Sequence, residues 1–482
     1  MGSVSDNQQQ ENGQKFPYQR YSESEQDFNA DNGYVVASHG HECSDRHDSS
    51  NSAVRVEICD LDERTYTTTG VLRRCQQVVL QPYSKLLILI GWRSIGKDSI
   101  NSGSFALRLC NVLFTTFVIS MQIYTYVYQI IACEGKLSID QDTHDPTTTP
   151  GPGNTTFNPW IPIGPSAKRR QCYHITTTYI VPAVLHSVIY VMGFIHFRLQ
   201  DNEYLYGLME KVFLQHAPFH RALVHSSVIY SARLYLYLGI AWAFLAVSVQ
   251  GLSAAAFGIT PSIWFLDVQE EWWTKMLFAF QLLGFLLCYL VWAAVIVNYA
   301  TQCELLVAFI NGICLRLREK STDLRLAMHD ILGVRENLST LNGTLARMTA
   351  IGVLSFGELS IMGLCLLVLN VATNPWTWVY RIIFPLTFGL ALLFPLIQAA
   401  RVSKTGEKLK QICFEMRVFG YKDSNHMELD SFLLFVNHAT LRPKLFSVPI
   451  KPALIMSLVA GTALTLLVLF QMGVIAGANI LF

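Results

Sequence analysis

The sequence predicts an all-α membrane protein with seven transmembrane helices, and three observations support this fold class. Of its 482 residues, 51% are hydrophobic and only 15% are charged, which is too apolar for the surface of a soluble protein of this length. The apolar residues fall into blocks of roughly 20, the length at which a helix crosses the hydrocarbon of a bilayer. The polar loops between the blocks carry Lys and Arg mainly on one side.

The chain begins with a polar tail. Residues 1–77 are rich in Gln, Asn, Ser, Asp and Gly, so they cannot bury enough apolar surface to offset their chain entropy. We expect a disordered cytoplasmic segment, with no cleavable signal peptide. Residues 78–104 contain a short apolar run that Pro82 and Lys85 interrupt at its start, which predicts an interfacial helix and a linker.

Residues 105–482 form the predicted seven-helix domain. We place the spans at about 105–131, 173–197, 231–259, 274–300, 351–373, 379–400 and 453–475. The third and fourth spans are separated by Thr260-Pro261 and an acidic-aromatic stretch, and the fifth and sixth by Asn374-Pro375 and two tryptophans.

The positive charges of the loops predict the orientation. One side holds most of the Lys and Arg residues, whereas the other side has only Lys136, Lys168, Arg169 and Arg170. Because cytoplasmic loops carry the excess of positive charge, the first side is predicted to be cytoplasmic. The amino terminus is then inside and, after an odd number of spans, the carboxyl terminus is outside.

The first outside loop carries two predicted modifications. Asn154-Thr-Thr is a glycosylation sequon, and we predict that Asn154 is glycosylated, although such triplets also occur by chance. Cys133 and Cys172 bracket the same loop in an oxidising compartment, where they form either a disulfide or two free thiols.

Apolar residues recur in heptads on the cytoplasmic side, which predicts packed helices there. One stripe precedes the fifth span, and we expect its helix to continue that span below the membrane. Its members are Leu324, Ala327, Ile331, Val334, Leu338, Leu341, Leu345 and Met348. Two more stripes lie between the sixth and seventh spans: Leu409, Ile412, Cys413 and Met416, then Leu429, Phe432, Leu433 and Val436. With no lipid to meet, these stripes pack either on one another in a monomeric cap or on neighbouring subunits.

Polar and aromatic residues crowd the outer halves of the second to sixth spans. Polar groups inside a membrane are costly and usually functional, so these residues are candidates for a ligand pocket. The candidates are Thr177, Tyr179, Gln250, Gln281, Asn370, Tyr380 and Arg381. An interfacial aromatic belt is the alternative interpretation of part of this pattern.

The last span carries small and hydroxyl residues at helical spacing. Ser457, Gly461, Thr465, Val468 and Met472 share one face, and Gln471 closes the outer end. Small polar residues below apolar ones suit a water-lined path that narrows to a dry constriction. Close packing between helices through small residues explains the same stripe, and both interpretations stay open.

Enzymatic chemistry has no support in the sequence. The chain contains no HExxH, GxSxG or CxxC motif, so we predict neither an enzyme nor a metal or other cofactor. The net charge of +1 gives no sign of nucleic-acid binding.

The last span resembles that of the invertebrate gustatory and odorant receptor superfamily. The gustatory branch carries Thr-Tyr, five hydrophobic residues, Gln and Phe in that span. Here Leu464 and Thr465 replace the first pair, five hydrophobic residues and Gln471 match, and Met472 replaces the Phe. The superfamily also shares the predicted orientation, which is inverted relative to G-protein-coupled receptors.

This resemblance implies a taste or related chemosensory receptor in the plasma membrane of sensory neurons or other sensory cells. It would act in sensory transduction as a ligand-gated, non-selective cation channel built as a tetramer with itself or related subunits. By position, Thr465, Val468, Gln471 and Met472 would line or gate the pore, and a small molecule would bind in the outer part of each bundle. A light-sensing member, a G-protein-coupled receptor and a secondary transporter are the alternatives.

Overall fold

Helices make up nearly all of the chain that can be described. The structure, a computed structural model, describes residues 73, 75–95, 105–131, 179–199, 203–215, 218–257, 271–369, 375–421 and 425–471, all within a unit that runs from Asp60 to Phe482. A π-helical turn, Gln76–Leu80, leads into the first α-helix. The α-helices are α1 Gln81–Leu89, α2 Phe105–Ile131, α3 Val181–Leu199, α4 Glu203–Gln215, α5 Pro218–Phe257, α6 Glu271–Arg318, α7 Leu324–Leu341, α8 Thr344–Leu369, α9 Pro375–Phe419, α10 His426–His438 and α11 Pro452–Gln471.

Seven of the helices in the described ranges are long and apolar enough to cross a membrane. They are α2, α3, α5, α6, α8, α9 and α11, and each overlaps one predicted span. The predicted all-α fold with seven spans is therefore confirmed, and the chain is a multi-pass membrane protein. The outer loop with Asn154, Cys133 and Cys172 lies outside the described residues, as does the tail 1–72.

Helix α6 is the centre of the bundle. In its most apolar stretch 72% of residues are buried inside the protein, compared with 6% in α11. A helix that is hydrophobic on every side needs neighbours on every side, and α6 packs against α2, α5, α7, α8 and α9. Close approach to α2 occurs at Gly284, where a Cβ would lie 2.9 Å from the Met121 carbonyl oxygen.

Three spans continue far beyond the membrane as unbroken helices. α5 has 40 residues, α6 has 48 and α9 has 45. At 1.5 Å per residue α6 is roughly 70 Å long, whereas the hydrocarbon layer is only about 30 Å thick. The helix that contains the fourth span therefore runs on to Arg318, well beyond the predicted end of that span near residue 300. Together with α7 and α10, these extensions form a second helical layer at the amino-terminal ends of α5 and α8.

The three heptad stripes predicted from the sequence are buried within the same chain. Every member of the three predicted stripes is at most 8% exposed, and Ile331, Met348, Leu409 and Phe432 are fully buried. The stripe on α7 packs against α6 and α10, and that on the end of α9 packs against α10. Within this subunit they form a cap of their own.

The predicted continuity between the heptad helix and the fifth span is wrong at one point. α7 ends at Leu341 and α8 begins at Thr344, because the backbone turns at Asn342 and Gly343. The Asn342 side-chain oxygen accepts a hydrogen bond from the Lys444 N–H at 2.8 Å, so this break also holds the segment before α11.

The short helix α1 lies inside the bundle rather than only at a membrane surface. Leu87, Ile90 and Trp92 are fully buried, and Trp92 stacks on Phe197 with ring centroids 5.1 Å apart. The Tyr83 hydroxyl donates to the Ala294 carbonyl in α6 at 3.2 Å. The sequence predicted this helix. Its apolar segment is too short to cross a membrane, and nothing in that segment indicated that the transmembrane helices would enclose it.

A two-stranded hairpin connects α10 to α11. β1 (Lys444–Leu445) pairs with β2 (Val448–Pro449) in antiparallel register, and Phe446 and Ser447 at its turn have φ of 48° and 67°. Left-handed backbone at two residues fits the tight turns that two-residue hairpins require. The Ser403 hydroxyl in α9 donates to the Ile450 carbonyl at 2.6 Å, which fixes the base of α11.

Candidate functional site

A cluster of aromatic rings joins four spans at mid-bundle. Phe356 and Phe388 are almost fully buried, and Trp242 contacts both, with centroids 5.3 and 6.4 Å away. Tyr289 lies 6.1 Å from Phe388 and Phe384 lies 4.9 Å from it. We call these five residues the aromatic cluster. It unites α5, α6, α8 and α9 through buried ring contacts.

Two predicted pocket residues border the aromatic cluster. The Gln250 amide donates to the Tyr289 hydroxyl at 2.9 Å, so the amide orients the ring at the edge of the cluster. Tyr380 is 7% exposed, and its ring lies 5.4 Å from that of Phe384. The sequence therefore found two residues at the cluster but missed its five members, which only their shared burial reveals.

The remaining pocket candidates are less informative. Tyr179 and Gln281 are half-buried at the same end of the bundle, whereas Thr177 and Asn370 lie outside the described residues. Arg381, the last of the candidates, is almost fully buried.

Arg381 is a buried cation without a polar partner in the described part of the chain. The residue is 1% exposed, and its three guanidinium nitrogens make no hydrogen bond. Its guanidinium carbon lies 5.2 Å from the centroid of the Trp378 ring. Stacking on an aromatic face recovers part of the lost hydration but satisfies none of the N–H donors.

His186 is a second buried polar residue that sequence reasoning missed. It is 1% exposed and lies between the rings of Tyr126 and Trp292, at centroid distances of 5.7 and 5.8 Å. The sequence does not predict the burial of this histidine, because it lies within an apolar helix and belongs to no recognised motif. Its position brings α2, α3 and α6 together one layer beside the aromatic cluster.

An ion-pair cluster connects three long helices at the opposite end of the spans. Glu304 Oε2 accepts hydrogen bonds from Arg401 Nη1 at 2.7 Å and from the Tyr235 hydroxyl at 2.9 Å. Arg401 Nη1 also donates to Gln398 Oε1 at 2.9 Å. We call these four residues the Glu304 cluster. It was not predicted, because its members lie in separate helices with no shared pattern.

Helix α11 leaves nearly all of its side chains uncovered. Val468 is 42% exposed, and Thr465 and Gln471 are exposed as well. The Thr465 hydroxyl donates to the Gly461 carbonyl at 2.9 Å, so the helix itself satisfies this polar group. Met472, the remaining pore candidate, lies just beyond the described residues. The stripe predicted from spacing thus lies on a helix that packs against α9 but leaves most of its surface uncovered.

Helix α8 carries a carboxylate on its outward face. Glu358 is half-buried, and its helical neighbours Leu354 and Ile361 on the same face are 55% and 62% exposed. Among the described residues Glu358 has neither an ion-pair nor a hydrogen-bond partner. A carboxylate facing lipid hydrocarbon is costly, so this face favours contact with water or with another protein surface.

The far end of α9 also exposes apolar side chains well past the predicted end of the sixth span. Phe414, Val418 and Phe419 in α9 are 51% to 79% exposed, and Met427 at the start of α10 is 78% exposed. Nearby, the Tyr421 hydroxyl donates to the Thr322 carbonyl, and burial raises the pKa of this phenol above its usual value. No group of side chains that could hold a metal ion occurs within the described ranges.

The described architecture matches a known receptor fold. The all-α fold with seven spans is shared with solved structures of an insect olfactory receptor. One is the olfactory receptor OR5 from Machilis hrabei, 11% identical, with a TM-score of 0.56 over 83% of this chain and 99% of that one. The same receptor in complex with eugenol gives 10% identity and a TM-score of 0.54 over 82% and 98%.

Sequence comparison alone gives no such link, since no protein-family model and no curated protein matches the chain. At these identities the shared property is the fold. The fold that the resemblance of the last span implied is therefore supported by the arrangement of the whole bundle.

Proposed function

We propose that this chain is a subunit of a chemosensory cation channel that a small molecule opens, with four copies placing α11 around a central pore. The observation that carries the proposal is the almost complete exposure of α11, whose most apolar stretch is 6% buried. The side chains of a span that its own bundle leaves uncovered must contact either lipid or other copies of the chain. The shared fold with an olfactory receptor favours other copies.

Two further surfaces support contact between copies. Glu358 faces outward from α8, where lipid alone would leave a carboxylate without a polar partner. The apolar residues Phe414, Val418, Phe419 and Met427 face outward beyond the predicted span, where water would surround them in a monomer. Burial against neighbouring subunits removes both costs.

The proposed pore uses the stripe on α11. Thr465 and the other hydroxyls below it would line a wetted section, because their hydrogen bonds to the helix backbone can be shared with water. Val468 and Met472 would form the narrow apolar section that closes by losing its water, and Gln471 would stand at the mouth. A small shift of four such helices would wet or dry this section.

Helix α9 offers the connection between ligand and pore. Tyr380 and Arg381 lie near its first residue, beside the aromatic cluster, and Ser403 further along holds the backbone of Ile450 just before α11. A ligand that packs among the rings would bias the position of α9, and α9 would carry that bias to the base of α11. The eugenol complex of OR5 makes a small aromatic molecule the first ligand to test.

The test is current in cells that express only this chain. We expect a cation current when eugenol or another odorant-sized molecule from a panel is applied, or on illumination if the light-sensing alternative holds. Val468→Ala should raise the current without ligand, because a smaller apolar ring holds water more easily.

The matched control is Val459→Ala, which changes an exposed valine on the opposite face of α11. It should leave the current unchanged. Surface-expressed protein that stays silent to every stimulus and is counted as a monomer by stepwise photobleaching would refute the proposal.

A further inference from the structure

Arg381 is a buried cation that the described residues leave unpaired. All three of its guanidinium nitrogens are buried, and none makes a hydrogen bond to a described residue. Buried Arg side chains ordinarily pair with a carboxylate or phosphate, because the guanidinium has five N–H donors and cannot lose its charge. Stacking on Trp378 orients the guanidinium plane but leaves the N–H edge for a ligand.

The surrounding spans supply no acid for this edge. Helices α2, α3 and α5 contain no Asp or Glu at all, and α9 has none before Glu407, which lies more than seven turns away. In α6 the acids are Glu271, its first residue, and Glu304, which Arg401 already holds. In α8 the acid is Glu358, on the outward face.

We propose that Arg381 binds the oxyanion group of the ligand, so that the site selects small amphipathic acids with an apolar or aromatic body and one carboxylate or phosphate. The inference rests on the proposed function, since it names the class of ligand for that same pocket. The apolar body would pack toward Tyr380 and Phe384, and the acid group would pair with the guanidinium in two parallel hydrogen bonds.

The test compares a matched pair of probes, 3-phenylpropanoate and 3-phenylpropan-1-ol, on the purified full-length protein in detergent. Binding is measured from the rise in melting temperature with probe concentration. Wild type should bind the acid roughly thirtyfold more tightly than Arg381→Gln does, while both bind the alcohol equally. Arg381→Lys should keep part of the preference for the acid, because lysine keeps the positive charge but cannot donate two parallel hydrogen bonds as the guanidinium does.

Arg233→Gln is the matched control. Arg233 also stacks on an aromatic ring, that of Tyr237 at 5.4 Å, but it is exposed, so its replacement should leave the acid preference intact. Retained alcohol binding shows that each variant is folded.

Two further measurements identify the source of the anion. If a lipid headgroup fills the site, phospholipid phosphorus copurifies with wild type and not with Arg381→Gln, and acid preference returns after delipidation. If Glu271 fills it, Glu271→Gln creates acid binding that wild type lacks, which overturns the proposal. Equal acid binding by wild type and Arg381→Gln overturns it too.

The two proposals can fail separately. If the protein prefers acids but carries no current, only the proposed channel is refuted. If it carries current but shows no preference for acids, only this inference is refuted.

Discussion

Glu304 and Arg401 show how a single ion pair can hold long helices together at the boundary of the bundle. The Glu304 side chain is 11% exposed and that of Arg401 is 43% exposed, so the pair is shielded on one side and hydrated on the other. Tyr235 and Gln398 complete the hydrogen bonds of the pair. Removing one partner of a shielded pair lowers the free energy of unfolding more than removing one partner of a surface pair. The reason is that the remaining charge is left without full hydration.

Replacement of Arg401 tests this difference. Arg401→Gln should lower the free energy of unfolding by about 2 kcal/mol, which is less than for a fully buried pair because Arg401 is partly hydrated. Arg325→Gln is the control: its pair with Glu428 joins side chains that are 86% and 50% exposed, and its loss should cost less than about 0.5 kcal/mol. Thermal unfolding in detergent measures both, and equal losses would contradict the assignment.

Among elements, α7 shows how a heptad pattern specifies a contact surface. Its stripe residues are buried against α6 and α10, whereas most residues between them are exposed, with Asp330 and Asn337 as buried exceptions. The pattern predicted this face correctly because helical periodicity fixes which side chains share a side. It did not predict where the helix ends, because Asn342 and Gly343 interrupt the backbone without interrupting the stripe.

Adjacent residues of α7 give a matched pair for this surface. Ile331 is fully buried and Leu332 is 47% exposed. Ile331→Ala should cost about 3 kcal/mol, since it removes buried methyl groups and leaves a cavity, whereas Leu332→Ala should cost less than about 1 kcal/mol. A difference in melting temperature between the two purified variants is the measurement. If Leu332→Ala is the more damaging, its exposed face is covered in the assembled protein.

At the scale of the whole molecule, the orientation in the membrane separates the competing receptor classes. The charge distribution of the loops predicts the amino terminus inside and the carboxyl terminus outside. The inverted chemoreceptor superfamily has this orientation, and a G-protein-coupled receptor has the opposite one.

Epitope tags at the two termini test the orientation. An antibody should stain a tag after Phe482 on intact cells and a tag before Met1 only after permeabilisation, because the positive loops remain in the cytoplasm. A cytoplasmic tag expressed separately serves as the control for membrane integrity. Staining of the amino-terminal tag on intact cells would contradict the predicted topology and support the G-protein-coupled alternative.

The sequence by itself determined the number of spans, the buried faces of the helices that carry the heptad stripes and the unusual character of the last span. Each of these follows from local properties, namely the apolar length needed to cross a bilayer and the period of a helix. The tertiary structure alone decided which side chains of different helices contact one another. It enclosed α1, assembled the aromatic cluster and the Glu304 cluster, and left Arg381 buried without an acid and α11 uncovered. Those contacts join residues far apart in the chain, and no periodicity along one helix encodes which side chain of another helix it will face.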